Sequence, residues 1–176
     1  MFKKIVIIAL VSTLAVGCAS IPMESLERTT TAKKFNPPAE GNSGLYIYRN
    51  SFGGNYKRNV RVNEQCIGSS APYVFFYEEV EGDKTHKVSS GDTTTFGDQI
   101  CRNCLLIKVK SGMHYFIKQN MVFWDVGVEL VDEEQGKEEV SKLDMAAQGT
   151  CRPRRTLGDE LYNIQSIGSS LGGLLP

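Results

Sequence analysis

The chain has 176 residues and carries 20 basic and 20 acidic side chains, so its formal net charge at pH 7 is zero. Because nucleic-acid binding relies on an excess of Lys and Arg, this balance gives no indication of a nucleic-acid partner. Hydrophobic residues make up 41% of the chain, which excludes an intrinsically disordered protein and predicts a folded domain.

The first 17 residues combine a short basic start with an uncharged apolar run. Lys3 and Lys4 precede residues 5–17, a stretch too short to span a bilayer, which takes roughly 20 residues. Small residues then lead into a cysteine, as AVGC at residues 15–18. This pattern resembles the lipobox of bacterial lipoproteins, in which the cysteine sulfur is acylated and the chain is cut directly before it. We therefore predict that residues 1–17 are a signal peptide and that Cys18 carries a lipid.

The residues after Cys18 predict where the protein resides. Ala19 follows the cysteine, and by resemblance to sorted lipoproteins the absence of Asp there implies the outer membrane, with the protein facing the periplasm. Two or three acyl chains anchor a protein stably, whereas one chain binds only marginally. Residues 18–43 are polar and contain two adjacent prolines, so we expect a tether with a short helical turn near residues 24–34.

From residue 44 onward the sequence predicts short β-strands separated by turn residues. Aromatic and β-branched side chains recur at an interval of two in most of these segments, which are residues 45–49, 59–64, 73–80, 85–90, 93–98, 105–110, 114–123, 127–134 and 137–143. Turn sequences lie between them, at residues 53–55, 81–83, 111–113 and 135–136. Strands at intervals of about 8–12 residues indicate an all-β domain at residues 44–146, an antiparallel sandwich or barrel.

Residues 147–176 depart from this strand pattern. Thr156 can cap a helix, with Asp159 three residues later as a weak capping box. The apolar residues that follow at helical spacing are Leu157, Leu161 and Ile164. We therefore predict a C-terminal extension with one short amphipathic helix and a flexible tail. The tail spells G-x-S-x-G at residues 168–172, but a nucleophile elbow needs a following helix and a later histidine, and neither is present.

Four cysteines remain after the lipidation site: Cys66, Cys101, Cys104 and Cys151. An even number in an exported domain predicts two disulfides. We favour Cys101–Cys104 with Cys66–Cys151, and the other pairing considered is Cys66–Cys104 with Cys101–Cys151. The Cys101-x-x-Cys104 sequence could instead be a redox or metal site. However, a strand follows it where a redox motif needs a helix N-terminus, and zinc would need two further ligands at matching spacing.

No other pattern points to catalysis. His86 and His114 lie in predicted strands, and no motif places a serine or cysteine beside them. The acidic stretches at residues 78–83 and 132–139 lack the spacing of a calcium loop and are interpreted as solvated hairpin ends. A small basic patch beside Cys151 is interpreted as part of a solvated tail; it comprises Arg152, Arg154 and Arg155. We predict no catalytic residues, no metal site and no cofactor.

Three segments carry a resemblance to a known family. They are residues 32–50 (AKKFNPPAEGNSGLYIYRN), 111–120 (SGMHYFIKQN) and 128–146 (VELVDEEQGKEEVSKLDMA). The chain resembles a widespread family of bacterial lipoproteins of unknown function over roughly residues 32–146. The resemblance implies an immunoglobulin-like or prealbumin-like β-sandwich and brings no activity with it. The sequence NEQCIG at 63–68, the Cys101–Cys104 cluster and the tail beyond Ala147 depart from the family pattern.

These observations favour a non-enzymatic binding or assembly module of the cell envelope. The lipid on Cys18 would hold it in the outer membrane, and its partner would be an envelope protein or a cell-wall polymer. The alternative hypothesis is a thiol–disulfide or metal-handling protein that uses Cys101 and Cys104. Free thiols or a bound metal would favour the alternative, and full oxidation would favour the binding module.

Overall fold

The structure is a computed structural model that describes residues 21–51, 57–91, 104–122 and 125–151. Within these ranges the chain forms nine β-strands and two α-helices. The strands are β1 (Asn42–Arg49), β2 (Arg58–Val62), β3 (Gln65–Ser70), β4 (Val74–Glu81), β5 (Thr85–Ser90), β6 (Cys104–Lys108), β7 (His114–Val122), β8 (Asp125–Val131) and β9 (Asp144–Met145). The helices are α1 (Leu26–Ala32) and α2 (Glu133–Ser141). The predicted predominance of β structure is confirmed.

The strands form two sheets, which pack as the predicted sandwich. The large sheet has the order β8-β7-β1-β4-β9, and the small sheet has the order β3-β2-β5-β6. Two pairs in the large sheet, β1 with β7 and β4 with β9, are parallel, so the expectation of purely antiparallel pairing needs correction. The partners in each of these pairs are far apart in sequence, and no tight hairpin forces them to run in opposite directions.

The core of the sandwich lies between the facing surfaces of the two sheets. Alternate residues of a strand point to opposite sides, so Leu45 and Ile47 of β1 face the small sheet. Phe76 of β4 and Ile117 of β7 share that surface, and all four side chains are at most 1% exposed. The small sheet contributes Val60, Val62, Ile67, Val88 and Ile107. This apolar layer supplies the main hydrophobic contribution to folding.

The other surface of the large sheet is covered by the two helices and is called the helix-covered face below. It carries an aromatic cluster whose buried members are Tyr46, Tyr48, Phe75 and Phe116. Val140 of α2 and Ala32 of α1 pack against this cluster. Gly136 lets α2 approach closely, because a Cβ atom at that position would overlap the side chain of Phe116. The helix-covered face therefore has a second, aromatic core.

The region predicted as a strand at residues 137–143 is mostly helical, which corrects that prediction. Asp132 caps α2, and its side chain accepts a hydrogen bond from the Gln135 backbone N–H at 2.9 Å. A Lys137–Glu133 ion pair at i,i+4 spacing supports the first turn. The acidic stretch at residues 132–139, interpreted as a hairpin end, therefore forms the cap and body of a helix.

Two short strands have no counterpart in the sequence prediction. The first, β3, follows a tight turn at Asn63 and Glu64, where φ is +49° and +67°. These backbone angles suit a two-residue hairpin between β2 and β3. The second, β9, is only two residues long and pairs with Val74 and Phe75 of β4.

Residues 21–43, predicted to belong to the tether, pack against the sandwich. Ile21 is 5% exposed and belongs to the core between the sheets. Met23 forms a β-bridge with Ala146, and α1 follows within the stretch where a helical turn is expected. Several predictions lie outside the described residues: the signal peptide, Cys18, Cys101, the strand at 93–98, the turn at 53–55 and the features predicted after Cys151.

Candidate functional site

A groove with a volume of about 450 Å³ lies between α1 and the helix-covered face of the large sheet. One wall is formed by α1 and the segment after it, which contribute Glu27, Arg28, Thr31, Ala32, Asn36 and Pro37. The floor and opposite wall come from the sheet, through Tyr46, Tyr77, Glu79 and Met145. Residues distant in sequence thus form one concave surface with aromatic and charged side chains, which makes it the candidate binding site of the described residues.

Two tyrosines give the groove its aromatic floor. The ring of Tyr46 stacks on Phe116 with centroids 5.0 Å apart, and the Tyr77 ring lies 4.8 Å from it. The Tyr46 hydroxyl donates a hydrogen bond to the Ala32 carbonyl oxygen at 2.8 Å, which links the sheet to α1. Burial, and the nearby charge of Glu79, raise the pKa of Tyr46 well above its usual value. The hydroxyl therefore stays neutral at physiological pH.

Glu79 places a fixed negative charge at the rim of the groove. Its Oε2 atom accepts hydrogen bonds from the Ala39 backbone N–H and the Asn42 amide, both at 3.2 Å. Its Oε1 atom accepts a hydrogen bond from the Tyr77 hydroxyl at 3.0 Å. Partial burial opposes ionisation, but these hydrogen bonds outweigh it and hold the pKa of Glu79 below its usual value. The carboxylate is therefore ionised and oriented before any ligand arrives.

His114 lies beside the floor of the groove, and a glycine creates the space for it. Its ring occupies the position that a side chain at Gly44 would fill. The Nε2 atom lies 2.9 Å from the Asn36 carbonyl oxygen, so we assign the proton to Nε2 as the donor. The Tyr46 ring packs edge-on at 5.3 Å. His114 therefore holds the segment after α1 against the sheet.

A second polar cluster fixes α2 on the same face. The Tyr48 hydroxyl donates a hydrogen bond to Glu139 Oε2 at 2.5 Å, and Lys118 Nζ lies 3.0 Å from Glu139 Oε1. Burial opposes ionisation of Glu139, but hydrogen bonds from Tyr48, Gln135 and Lys118 outweigh it and lower the pKa of that carboxyl. Burial, followed by the hydrogen bond to Glu139, raises the pKa of Tyr48. This cluster stabilises the docking of α2 and lies outside the groove lining.

Of the predicted cysteine sites, Cys66, Cys104 and Cys151 belong to the described residues, and none of the three lines the groove. Cys66 and Cys151 form a disulfide with their Cα atoms 5.8 Å apart, on the small-sheet side of the molecule. Cys104 is also disulfide-bonded, and its partner lies outside the described residues. The Cys66–Cys151 bond joins β3 to the segment that follows β9, so it connects the small sheet to the large one.

The other histidine considered in the sequence, His86, makes contacts that hold neighbouring elements together. His86 is 5% exposed, and its ring nitrogens lie 2.8 Å from the Asn63 amide nitrogen and 2.7 Å from the Glu81 carbonyl oxygen. These contacts tie the β2–β3 turn to the end of β4.

Across the described ranges, no group of three or more His, Cys, Asp or Glu side chains is arranged to hold a metal ion. None of the helices seen there has the length and apolar character needed to cross a membrane.

The sequence prediction missed the groove. Glu79 belongs to the acidic stretch at residues 78–83, which was interpreted as a solvated hairpin end. The useful signal is the alternation in β4, which places Phe75, Tyr77 and Glu79 on one side of the strand. That alternation identifies a shared face, but it does not identify the helix that closes the groove above it.

Comparisons with known proteins match most of the chain by sequence. A model of the family described as "Protein of unknown function (DUF2846)" matches residues 39–130, which include the floor of the groove but neither helix. A relative from Haemophilus influenzae (strain ATCC 51907 / DSM 11121 / KW20 / Rd), described as "Uncharacterized protein", is 43% identical over 141 residues. That alignment covers 77% of this chain and 80% of the relative. No solved structure is significantly similar to the chain.

Proposed function

The chain belongs to the family described as "Protein of unknown function (DUF2846)", and from that premise we propose that it is a binding module of the cell envelope. A lipid on Cys18 anchors it in the outer membrane, and the groove beside α1 receives a positively charged group of an envelope partner. The observation that carries this proposal is the pre-oriented Glu79 carboxylate beside the partly exposed ring of Tyr77, which the buried Tyr46 supports from below. Ring faces together with a carboxylate form a recognition site for ammonium or guanidinium groups.

The charges that line the groove favour a cation. Glu27 and Glu79 contribute two carboxylates, and Arg28 is the positive side chain in the lining. The Arg28 guanidinium is already 2.7 Å from Glu24 Oε1, so its charge is largely compensated outside the groove. A lysine or arginine side chain of a partner protein would place its charge near Glu79 and its stem along the partly exposed Tyr77 ring.

The protonation states of the groove residues support binding over catalysis. A general acid or base works best when its pKa is close to the ambient pH. Burial raises the pKa of Tyr46 and Tyr77, and hydrogen bonding lowers that of Glu79, so these pKa values are displaced away from neutrality. Such groups keep one protonation state near pH 7, which suits recognition of a fixed charge.

The lipid anchor is tested by metabolic labelling. Labelled palmitate should enter the wild-type protein, and the Cys18→Ser variant should accumulate as an unprocessed precursor without label. The order of basic residues, apolar run and cysteine at residues 3–18 supports this expectation. A wild-type protein that takes up no label would contradict the anchor.

The groove is tested by site-specific photo-crosslinking in intact envelopes. A photoreactive amino acid replaces Thr31, an exposed residue in the wall of the groove, in the full-length lipidated protein. The matched control places it at Lys108, an exposed residue of β6 in the small sheet. We expect a discrete cross-linked product from position 31 that position 108 does not give. The same products from both positions, or none from position 31, would contradict the groove as the binding site.

A further inference from the structure

We propose that the beginning of the described chain is a membrane-docking surface, in which the exposed side chains of Met23 and Leu26 enter the bilayer interface. This inference rests on the proposed acylation of Cys18. It adds that the domain lies directly on the membrane and is not suspended from it by a long tether. The partner of this surface is a lipid bilayer.

The first step is that the chain is fixed to the fold from residue 21 onward. Ile21 is 5% exposed, within the core between the sheets. The Pro22 carbonyl oxygen accepts a hydrogen bond from the Ala147 N–H at 3.0 Å, and the Glu24 N–H donates one to the Met145 carbonyl oxygen at 2.9 Å. These bonds attach the segment beside β9, at the edge of the large sheet. The position of residue 21 on the domain is therefore fixed.

The second step is the short distance from that point to the lipid. Cys18 is three residues before Ile21. A fully extended chain spans at most about 3.5 Å per residue, so the two positions are separated by roughly 10 Å at most. The headgroup layer on each side of the hydrocarbon core is itself about 5–8 Å thick. An acylated Cys18 therefore keeps the edge of the domain near Ile21 in contact with, or very close to, the headgroups.

The third step is the apolar character of the surface next to that edge. Leu26 is 80% exposed and Met23 is 43% exposed, and the intervening Glu24 forms an ion pair with Arg28. Isolated exposed apolar residues are common on protein surfaces. These two, however, lie two and five residues after Ile21, the position that an acylated Cys18 would hold near the membrane. Glu24 is paired with Arg28, which leaves Glu27 as the exposed carboxylate beside Leu26, so this surface offers no attraction to anionic headgroups. We therefore expect insertion to depend on apolar contact and to respond weakly to salt.

The experiment measures the depth of a tryptophan introduced into this surface. The full-length lipidated Leu26→Trp protein is reconstituted into phosphatidylethanolamine–phosphatidylcholine vesicles with brominated acyl chains, which quench nearby tryptophan emission. The wild-type protein gives the background from Trp124, the single natural tryptophan. The matched control is Leu106→Trp in the small sheet, where Leu106 is 69% exposed. We expect the added emission at residue 26 to fall by about half or more, because an interfacial residue lies roughly 5–10 Å deep.

Vesicle flotation of the wild-type protein separates the two proposals. Wild-type protein that floats, with quenching at residue 26 but little at residue 106, supports docking. Protein that floats but shows equal or no quenching at the two positions is anchored without docking, which overturns this inference alone. Protein that does not float overturns the lipid anchor and this inference with it, whereas the groove is still tested separately by cross-linking.

Discussion

The two faces of the large sheet use the same strands for different purposes. The face toward the small sheet is apolar, with Leu45, Ile47 and Phe76 in its core, and the Cys66–Cys151 disulfide connects the two sheets beside it. The helix-covered face carries tyrosines and carboxylates that form hydrogen bonds, and it is partly open as a groove. One face is therefore a closed apolar core, and the other carries the hydrogen-bonding side chains of the proposed binding groove.

This division follows from the alternation of side chains along a strand. In β1, Leu45 and Ile47 point to one side, and Tyr46 and Tyr48 point to the other. Apolar side chains suit a closed interface between two sheets. Tyrosine is large and apolar but retains a hydroxyl that must find a partner when buried, so it suits an interface with helices that offer carbonyl and carboxylate oxygens.

The largest expected loss of stability comes from removing the Cys66–Cys151 disulfide, which lies on the small-sheet side of the molecule. The double variant Cys66→Ser/Cys151→Ser opens a loop with a sequence separation of 85 residues. In the chain-entropy model this lowers the free energy of unfolding by about 4–5 kcal/mol. Urea unfolding of the oxidised wild type and the variant measures the difference. If the urea midpoints of the wild type and the variant coincide, the disulfide contributes little to the stability of the sandwich, and the prediction is contradicted.

The next largest loss of stability is expected from a change in the apolar core between the two sheets. Phe76→Ala leaves a cavity between the sheets and should lower the free energy of unfolding by about 3–5 kcal/mol. The matched control is Tyr77→Phe, the next residue on the opposite face, which keeps the ring and removes one partly exposed hydroxyl. That variant should lose about 1 kcal/mol or less. Similar losses in the two variants would remove the distinction between the faces.

A smaller loss of stability is expected from a substitution at the contact between α2 and the helix-covered face. Gly136→Ala places a methyl group against Phe116. Overpacking of this kind costs about 1–3 kcal/mol and opposes the gain of about 1 kcal/mol that Ala brings to a helix. Gly127→Ala in β8 is the control, because its Cβ atom would have no neighbour within 4 Å. If Gly136→Ala were as stable as Gly127→Ala in thermal unfolding, the close packing of α2 would be contradicted.

The hydroxyl of Tyr48 should have the smallest effect on stability, together with a characteristic pH dependence. Tyr48→Phe removes the hydrogen bond to Glu139 and should cost about 1.5 kcal/mol near neutral pH. Burial and the hydrogen bond to Glu139 raise the pKa of Tyr48 in the folded state. The stability that this hydroxyl contributes is therefore present below 10.0, the pKa of tyrosine in the unfolded chain, and is lost as the pH rises above that value.

Free energies of unfolding measured on both sides of pH 10.0 check this sign. The wild type should lose stability more steeply than Tyr48→Phe as the solution becomes alkaline, because the unfolded tyrosine releases its proton first. The variant Phe76→Ala, which changes the large-sheet face toward the small sheet, keeps this tyrosine and should follow the slope of the wild type. A slope that is identical in wild type and Tyr48→Phe would contradict the raised pKa.

The sequence predicts several strands of both sheets well, because their pattern is local. In the large sheet β1 is recognised from LYIYR at residues 45–49, and in the small sheet β5 is observed at the predicted residues 85–90. α2 was missed because Gly136 resembles a turn residue and Val140 is its one buried apolar side chain. The Asp132–Gln135 pair resembles a capping box, and this signal could have identified the helix.

The groove could not be predicted, because its parts come from separate segments of the chain. Thr31, Tyr46 and Glu79 belong to α1, β1 and β4, and no spacing rule connects them. Glu79 is distinguished from the other acidic residues near it only by its three hydrogen bonds, which depend on how residues 39 and 42 return to the sheet. Such contacts arise from tertiary packing and leave no local pattern.

The most direct test of the account is the Glu79→Gln variant, assayed for partner capture and stability in the same samples. The photoreactive residue stays at position 31, and urea unfolding is measured in parallel. Loss of the fixed carboxylate should reduce the cross-linking yield about tenfold, equivalent to about 1.4 kcal/mol of binding free energy, with little change in the unfolding midpoint. An unchanged yield from a stably folded variant would contradict the claim that the helix-covered face recognises a cation through Glu79.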